Sequence, residues 1–276
     1  MDQCKVIAVY NRKGGTGKTT LTMNLGVGLA DRAYRVLLVD ADPQANLTMS
    51  LGHPNPASLH ASLQTELAKL LSTSRFDDDE EGGGILNNSL FLDLLLGTPE
   101  TAYLESRIRE EPDVMSVLID GLRDRYDYIL IDCSSADSPL TLSVLGAADG
   151  VIIPVDPSHL TVKSLDLTVS AITKARWELN PELDIWGIVI NMEDCRTKYA
   201  QAVIGDLWLN NPHNLYVFCT EIPRTIRLPE SVLLGRSIYE HDPRGKSALA
   251  YEDLTEEVLE LGKSAPAKGD PALGAG

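Results

Sequence analysis

A stretch rich in glycine, lysine and threonine near the start of the chain could bind the phosphate groups of a nucleotide. Residues 12–20 read RKGGTGKTT and follow an apolar run at 6–10 after the single residue Asn11, an order that predicts strand, loop and helix. Glycine lets the backbone approach phosphate oxygens closely, so that amide N–H groups can face them. Lys18 would add a positive charge, and the hydroxyl of Thr19 would be a ligand for Mg²⁺. The residues predicted to contact the nucleotide are Gly14, Gly15, Thr16, Gly17, Lys18, Thr19 and Thr20.

This loop departs from the usual G-x-x-x-x-G-K-[ST] pattern in two ways. Arg12 stands where that pattern has its first glycine, and Lys13 adds a second lysine ahead of Lys18. The alternative is a glycine-rich turn that binds nothing. Three glycines, two lysines and two threonines between a strand and an apolar helix favour a phosphate site over that alternative.

Three aspartates could complete such a site, because phosphate hydrolysis needs a metal holder and a group that orients water. Asp132 follows the apolar run 128–131 and is predicted to hold Mg²⁺. Asp40 and Asp42 follow the run 36–39, so that both can face one site. We expect Asp42 to position the attacking water and Asp40 to lie nearer the metal. Asp42 could also cap a helix beginning at Pro43.

The elements that must position these residues alternate between apolar runs and segments with helical spacing. This order predicts an α/β fold, a doubly wound and mostly parallel sheet with helices on both faces. Ligands of such sheets bind at the carboxyl ends of the strands. Polar residues recur at those ends: Asp40, Asp132, Asp156 and Asn191. The predicted strands are 6–10, 36–39, 91–96, 128–131, 151–155, 185–190 and 215–218.

One domain over residues 1–262 and a disordered tail over 263–276 are expected, with a mobile acidic loop at 77–84. The sequence shows no secretion signal and no apolar run long enough to span a bilayer. Its four cysteines form no C-x-x-C pair and indicate reduced thiols in the cytosol.

The chain resembles the ParA/MinD group of deviant Walker A ATPases, which are P-loop NTPases, and within it the short ParA partition proteins. The pairing of KGGTGKTT with DADPQAN is specific for the group, and IPRTIRLPES followed by DPRGKSALAY is typical of the short ParA subgroup. The matching stretches are 13–20, 36–46, 126–133, 147–157, 191–197, 222–229 and 242–251.

The resemblance implies an ATP- and Mg²⁺-dependent switch. ATP would drive a face-to-face homodimer in which Lys13 reaches the partner's nucleotide, and Lys13, Lys18 and Asp42 would be the catalytic residues. The dimer would hold DNA without reading its sequence, and a ParB-like activator would stimulate hydrolysis and release it. Thr19, Asp40 and Asp132 would form the metal site. Asn191 and Pro223 would lie near the adenine.

The same resemblance places DNA-contacting arginines at Arg196 and Arg227, with Arg224, Arg236 and Lys246 as further candidates. Arginine contacts to phosphate give affinity without sequence information. The net charge of −16 excludes a uniformly basic surface, whereas the window 195–250 holds seven Lys/Arg and five Asp/Glu. We therefore expect DNA binding to be weak and sensitive to salt.

The chain also differs from its group after Asp132-Cys133. ParA proteins usually carry Pro-Pro there, in a switch region, and this chain has Ser134-Ser135. Loop stiffness and coupling to a partner are therefore expected to differ.

Other functions of the same fold remain as alternatives. A MinD-like membrane ATPase would need an amphipathic helix at its end, which SAPAKGDP cannot form. An iron–sulfur reductase would need a second spaced cysteine beside Cys133, and none is evident. A ParA-like ATPase that positions a protein cargo is equally compatible with the residues. No membrane partner is expected, and the protein is predicted to be cytoplasmic and associated with the nucleoid.

Overall fold

The strands of the chain form one central sheet in the computed structural model, which describes residues 3–56, 62–73, 84–158, 161–193 and 197–264. In chain order the strands are β1 (Lys5–Val9), β2 (Val36–Ala41), β3 (Ile85–Ser89), β4 (Leu92–Leu95), β5 (Tyr128–Cys133), β6 (Gly150–Val155), β7 (Asp184–Glu193) and β8 (Ile222–Pro223).

The strand order is β3-β4-β2-β5-β1-β6-β7-β8, with β1 between β5 and β6. All neighbouring strands are parallel except the β3–β4 pair, which is antiparallel. The register sets Asp132 beside Val9 on one side and beside Asp40 on the other. The predicted α/β class with a mostly parallel sheet is confirmed, and the central strands end together at one edge.

Helices cover both faces of this sheet. They are α1 (Lys18–Ala30), α2 (Asn46–Ser50), α3 (Leu63–Thr73), α4 (Glu105–Glu110), α5 (Val114–Asp120), α6 (Pro139–Ala147), α7 (Thr161–Glu178), α8 (Lys198–Asn210), α9 (Arg227–Leu233), α10 (Ile238–His241) and α11 (Lys246–Ser264), with 3₁₀ turns at Pro99–Leu104 and Arg123–Arg125. None of the described helices combines the length and the apolar character that crossing a bilayer requires.

Two apolar cores result, one on each face of the sheet. Ile7 and Val9 of β1 point into the layer built by α1, α9, α10 and α11. Val6 and Ala8 point into the opposite layer, built by α3 to α8. Strands buried on both faces explain why their sequences are apolar at every position rather than at every second one.

The predicted strand at 215–218 is wrong. Only Val217 bridges to β7, opposite Ile188, and the last strand is β8. Glu257 of α11 accepts hydrogen bonds from the Tyr216 hydroxyl at 2.9 Å and from the backbone N–H groups of Cys219 and Thr220 at 2.6 and 3.0 Å. The bonds to Cys219 and Thr220 hold these residues against α11, between the single bridge at Val217 and the point where pairing with β7 resumes at β8.

The structure also differs from the sequence prediction on either side of the acidic stretch. Residues 85–89, which are absent from the predicted strands, form β3, an antiparallel strand that pairs with β4. Residues 77–83 of the predicted loop lie outside the described residues. Helix α11 runs to Ser264, past the predicted start of the tail at 263, and residues 265–276 also lie outside the described part.

Candidate nucleotide-binding site

The loop between β1 and α1 is shaped by two glycines in the left-handed region. Gly15 and Gly17 have φ of 77° and 82°, values that cost little only for glycine. Space demands glycine at the second position too, because a Cβ on Gly17 would lie 2.3 Å from Nδ2 of Asn191. The seven residues predicted to contact the nucleotide all lie in this loop and the first turn of α1.

The start of α1 offers positive charge to a ligand in the loop. Gly17 is the N-cap residue and has no side chain to satisfy the first amides of the helix, which face outward with the positive end of its dipole. The side chain of Lys18 is nearly buried, and its Nζ lies 3.4 Å from the carbonyl oxygen of Lys13. Burial lowers the pKa of Lys18, while the charges of Asp132 and Asp42 act to raise it. A phosphate would relieve the unfavourable burial of this cation.

Thr19 and Asp132 form the pair that fits a magnesium ion. The Thr19 hydroxyl donates to Oδ2 of Asp132 at 2.7 Å. Oδ1 of Asp132 is fully buried and has no hydrogen-bond partner in the described structure. Burial raises the pKa of Asp132, and the negative charge of Asp40 raises it further. A cation beside Oδ1 would satisfy this orphaned oxygen, and a hydroxyl with a carboxylate is an oxygen donor set that suits Mg²⁺.

The donor set is too small to hold a metal by itself. Among the described residues no group of three His, Cys, Asp or Glu side chains converges on one point. Mg²⁺ in nucleotide sites is held by one or two protein ligands together with substrate phosphates and water. The Thr19–Asp132 pair matches that arrangement.

Both carboxylate oxygens of Asp40 accept hydrogen bonds from other residues of the protein. Its Oδ2 accepts hydrogen bonds from the backbone N–H and the hydroxyl of Thr48 at 2.8 and 2.7 Å, and its Oδ1 accepts one from Asp42 N at 3.3 Å. Burial raises the pKa of Asp40 to about 6, against the effect of these hydrogen bonds. These contacts stabilise the turn that follows β2. The position of Asp40 near the metal stays a prediction.

Asp42 stands half-buried at the start of that turn. Its Oδ1 accepts a hydrogen bond from Gln44 N at 2.9 Å. Helix α2 begins at Asn46 with Ala45 as its N-cap, so the alternative in which Asp42 caps a helix at Pro43 is wrong. The charge of Asp42 acts on the pKa of both Lys18 and Asp132, which shows that it belongs to the same cluster.

Lys13 is bound by residues that follow β6. Its Nζ donates to Oδ1 of Asp156 at 2.5 Å and to Oγ of Ser158 at 2.8 Å. Its backbone N–H donates to Oδ1 of Asn11 at 2.8 Å. The two lysines of the loop therefore have different surroundings. Lys18 lies within the loop of residues 12–20, which we call the cradle, whereas Lys13 is paired with a carboxylate beside it.

Sequence reasoning missed several residues that hold this loop. Asn11 is buried, donates to the carbonyl of Pro154 at 2.8 Å and accepts from the hydroxyl of Thr168 at 3.2 Å. Ser158 was not identified, although Asp156 was noted as a polar strand end. The ion pair between Arg12 and Asp137 at 3.4 Å ties the loop to the segment after β5. A lone Asn or Ser beside a strand carries no pattern that could reveal such contacts.

Asn191 and Pro223 lie beside the loop. Nδ2 of Asn191 donates to the carbonyl of Thr16 at 2.8 Å, and its Oδ1 accepts from Met192 N at 2.9 Å. Pro223 lies on β8, next to the end of β7. Asn191 thus holds the cradle through its bond to Thr16. A contact of Asn191 or Pro223 with the adenine of a nucleotide stays a prediction.

The described candidates for DNA contact are exposed and lie far along the chain from the cradle. Arg227 begins α9 and pairs with Glu230 at 3.0 Å. The hydroxyls of Thr225 and Ser247 are 3.0 Å apart, which sets the turn before α9 beside the start of α11. Arg196 lies outside the described residues. We call residues 224–246 the basic segment; its exposed cations are Arg224, Arg227, Arg236, Arg244 and Lys246, of which Arg244 was not predicted.

Comparison with known proteins places this site among ATPases. A family model described as an AAA domain matches residues 4–185. The chromosome-partitioning ATPase Soj of Thermus thermophilus is 36% identical over 254 residues, which cover 92% of this chain and 94% of that protein. The sporulation initiation inhibitor protein Soj of Bacillus subtilis is 34% identical over 265 residues, covering 94% of this chain and 99% of that protein.

A solved structure shows the same fold with a nucleotide. Cobyrinic acid a,c-diamide synthase from Mycobacterium smegmatis, with bound ADP and magnesium, superposes with a TM-score of 0.79 at 28% identity. The match covers 95% of this chain and 97% of that one.

Proposed function

Because this chain belongs to the AAA-domain family of ParA/Soj-type ATPases, we propose that it is an ATP-driven switch that partitions DNA. In this proposal the ATP-bound chain forms a dimer that binds DNA without sequence preference. Hydrolysis, stimulated by a ParB-like partner, dissolves the dimer and releases the DNA. The switch would act in the cytoplasm, on the nucleoid.

The observation that carries the nucleotide part of the proposal is the Thr19–Asp132 pair at the foot of the glycine loop. It leaves one buried carboxylate oxygen without a partner, beside the outward-facing amides of α1. These two residues would hold Mg²⁺, which would neutralise charge on the β- and γ-phosphates. The relative that holds ADP and magnesium on the same fold supports this assignment.

Hydrolysis would then depend on positioned charges. Lys18 would bind the β/γ-phosphates from inside the cradle, where burial makes its charge more effective than it would be in water. Asp42 would orient the attacking water, since it stands at the rim of the same cluster and is not fully buried. Positioning and electrostatics of this kind account for most of the catalysis of phosphoryl transfer.

Lys13 connects hydrolysis to assembly. To reach a partner's nucleotide, its ammonium must leave Asp156 and Ser158 of its own chain. The monomer therefore has its in-trans lysine occupied, and its basal turnover should be slow. A complete site would form only when two copies close around two nucleotides.

The basic segment supplies the proposed DNA surface. Its exposed arginines and lysine face solvent on the α9–α11 side of the sheet, in a protein whose other charges are predominantly acidic. Guanidinium groups bind phosphate oxygens with two hydrogen bonds and give affinity without base readout. The Arg227–Glu230 pair is exposed, so DNA phosphate can replace the carboxylate at little cost.

The test combines size and DNA retention. Wild-type protein with a non-hydrolysable ATP analogue should have twice the monomer mass by light scattering and should retain duplex DNA, whereas the ADP-bound form should do neither. Arg227→Glu should keep the dimer and lose about tenfold or more in DNA affinity, because it reverses one phosphate contact per subunit.

Arg109→Glu is the matched control, with the same charge change on α4 of the opposite layer. Equal loss of DNA binding in both variants would show a general charge effect and would remove the basic segment from the proposal. A wild-type protein that stays monomeric with the analogue would overturn the switch itself.

A further inference from the structure

A cavity lies between α4, α6 and α7, in the layer of helices on one face of the sheet. Its volume is about 490 Å³, and sites for small molecules commonly measure about 300–1,000 Å³. The described residues that line it include none of those assigned above to the nucleotide, the metal or DNA. The cavity, which we call the α6 cavity, is therefore a candidate site for a separate ligand.

Apolar side chains form much of the lining of the α6 cavity. Ile108 and Pro112 come from α4 and the turn after it, Leu142 comes from α6, and Leu179 directly follows α7. Ile108 is buried, whereas the other three are half-buried and keep part of their apolar surface in contact with water. An apolar group bound in the cavity would remove that surface from water, which favours binding.

The charged side chains of the same lining favour a negatively charged ligand. Arg109 of α4 and Lys174 of α7 both line the cavity, and neither forms an ion pair with the described parts of the chain. Of the two acidic residues in the lining, Asp137 is balanced by Arg12 at 3.4 Å, which leaves Glu178. Two uncompensated cations and one carboxylate make the cavity locally positive, in a protein of net charge −16.

We propose that the α6 cavity binds a small organic monoanion. Its apolar body would contact the Leu142 side chain and the neighbouring apolar lining, and its anionic group would bind at Arg109 and Lys174. The inference goes beyond the proposed function and does not depend on it, because the cavity and the cradle use different residues. It assigns to this chain a second ligand site, whose ligand is recognised by one negative charge on an apolar group.

The experiment titrates the full-length protein with two fluorescent probes. Anilinonaphthalenesulfonate is a monoanion with an apolar body, and phenylnaphthylamine has the same aromatic body without the sulfonate. Excess ADP and Mg²⁺ keep the sulfonate out of the cradle. Lys174→Met, which keeps the length of the side chain, should bind the sulfonate about fivefold more weakly and the neutral probe as before, because one exposed charge contact is lost.

Lys163→Met is the matched control, since it removes the same charge from α7 outside the cavity lining, and it should bind both probes like the wild type. Unchanged sulfonate affinity in Lys174→Met would overturn the inference. An equal loss in Lys163→Met would overturn it too, because it would reveal a general effect of net charge. So would a wild-type protein that binds the neutral probe as tightly as the sulfonate. Circular dichroism spectra identical to that of the wild type would show that both variants are folded.

Discussion

Two lysines five positions apart in one loop have contrasting surroundings in the structure. Lys18 is nearly buried, and its ammonium lies against the carbonyl oxygen of Lys13, with the charges of Asp132 and Asp42 acting on it. Lys13 is already balanced, because Asp156 and Ser158 bind its ammonium. Both side chains of the Lys13–Asp156 pair are about one quarter exposed, at 22% and 25%, so the pair is weak enough to exchange for another anion.

This geometry predicts that Asp156→Asn eases dimer formation. The side chain of Asp156 bonds only Lys13 among the described residues, and a neutral amide would hold the ammonium less firmly. Dimers with AMP-PNP should form at about fivefold lower protein concentration, as measured by sedimentation. Asp166→Asn, which removes an exposed pair with His213, is the control. Weaker dimers in Asp156→Asn would mean that Asp156 supports the active form instead.

The residues of the candidate site could be predicted from the sequence, whereas the contacts that hold those residues in place could not. Glycine, lysine and aspartate at fixed spacing identify the cradle because the phosphate imposes that spacing. The contacts of Asn11 with Pro154, of Ser158 with Lys13 and of Thr48 with Gly97 join residues distant in the chain, and no local pattern encodes them. Asp40 illustrates the limit: its place at a strand end was correct, yet only the structure shows that both of its oxygens are occupied.

At the scale of elements, α11 fixes the last part of the sheet. Glu257 accepts three hydrogen bonds from the segment before β8. Burial alone would raise the pKa of Glu257, but the hydrogen bonds from Cys219, Thr220 and Tyr216 outweigh it and lower the pKa. The segment 215–218 has the composition of a strand, but only Val217 bridges to β7, and Tyr216 and the two residues after the segment are hydrogen-bonded to this carboxylate on a later helix. The central strands could be predicted, because a strand that is buried on both faces is apolar at successive positions in the sequence.

Glu257→Gln should therefore lower the free energy of unfolding by about 2 kcal/mol at pH 7. Because the pKa of Glu257 is lower in the folded state, its contribution is full above about pH 4.3 and disappears as the pH falls through the folded value. The difference between wild type and variant, from urea unfolding, should shrink accordingly on acidification. Glu252→Gln on the same helix is the control. A difference that stays constant below pH 4 would contradict this role for the carboxylate.

At the scale of the whole molecule, charge is unevenly distributed. The chain carries a net charge of −16, and the basic segment is a local exception. A polyanion should therefore be attracted at one surface and repelled elsewhere, which favours a single orientation of the protein on DNA and makes the affinity depend on ionic strength.

With about four phosphate contacts per dimer, DNA affinity should fall about a hundredfold between 50 mM and 200 mM salt. Fluorescence anisotropy with AMP-PNP and two duplexes of unrelated sequence would measure this, and both duplexes should give the same slope. ADP-bound protein is the control. A flat salt response, or a strong preference for one duplex, would be incompatible with binding through phosphates alone.

The two outermost described strands limit how copies of this protein can associate. Strand β3 carries a bulge between Asn87 and Ser89, and β8 is only two residues long. Irregular or very short outer strands resist the backbone pairing through which sheets of separate molecules merge and aggregate. Two copies of this protein are therefore not expected to join edge to edge into one continuous sheet, so a contact between them can separate without unfolding either copy.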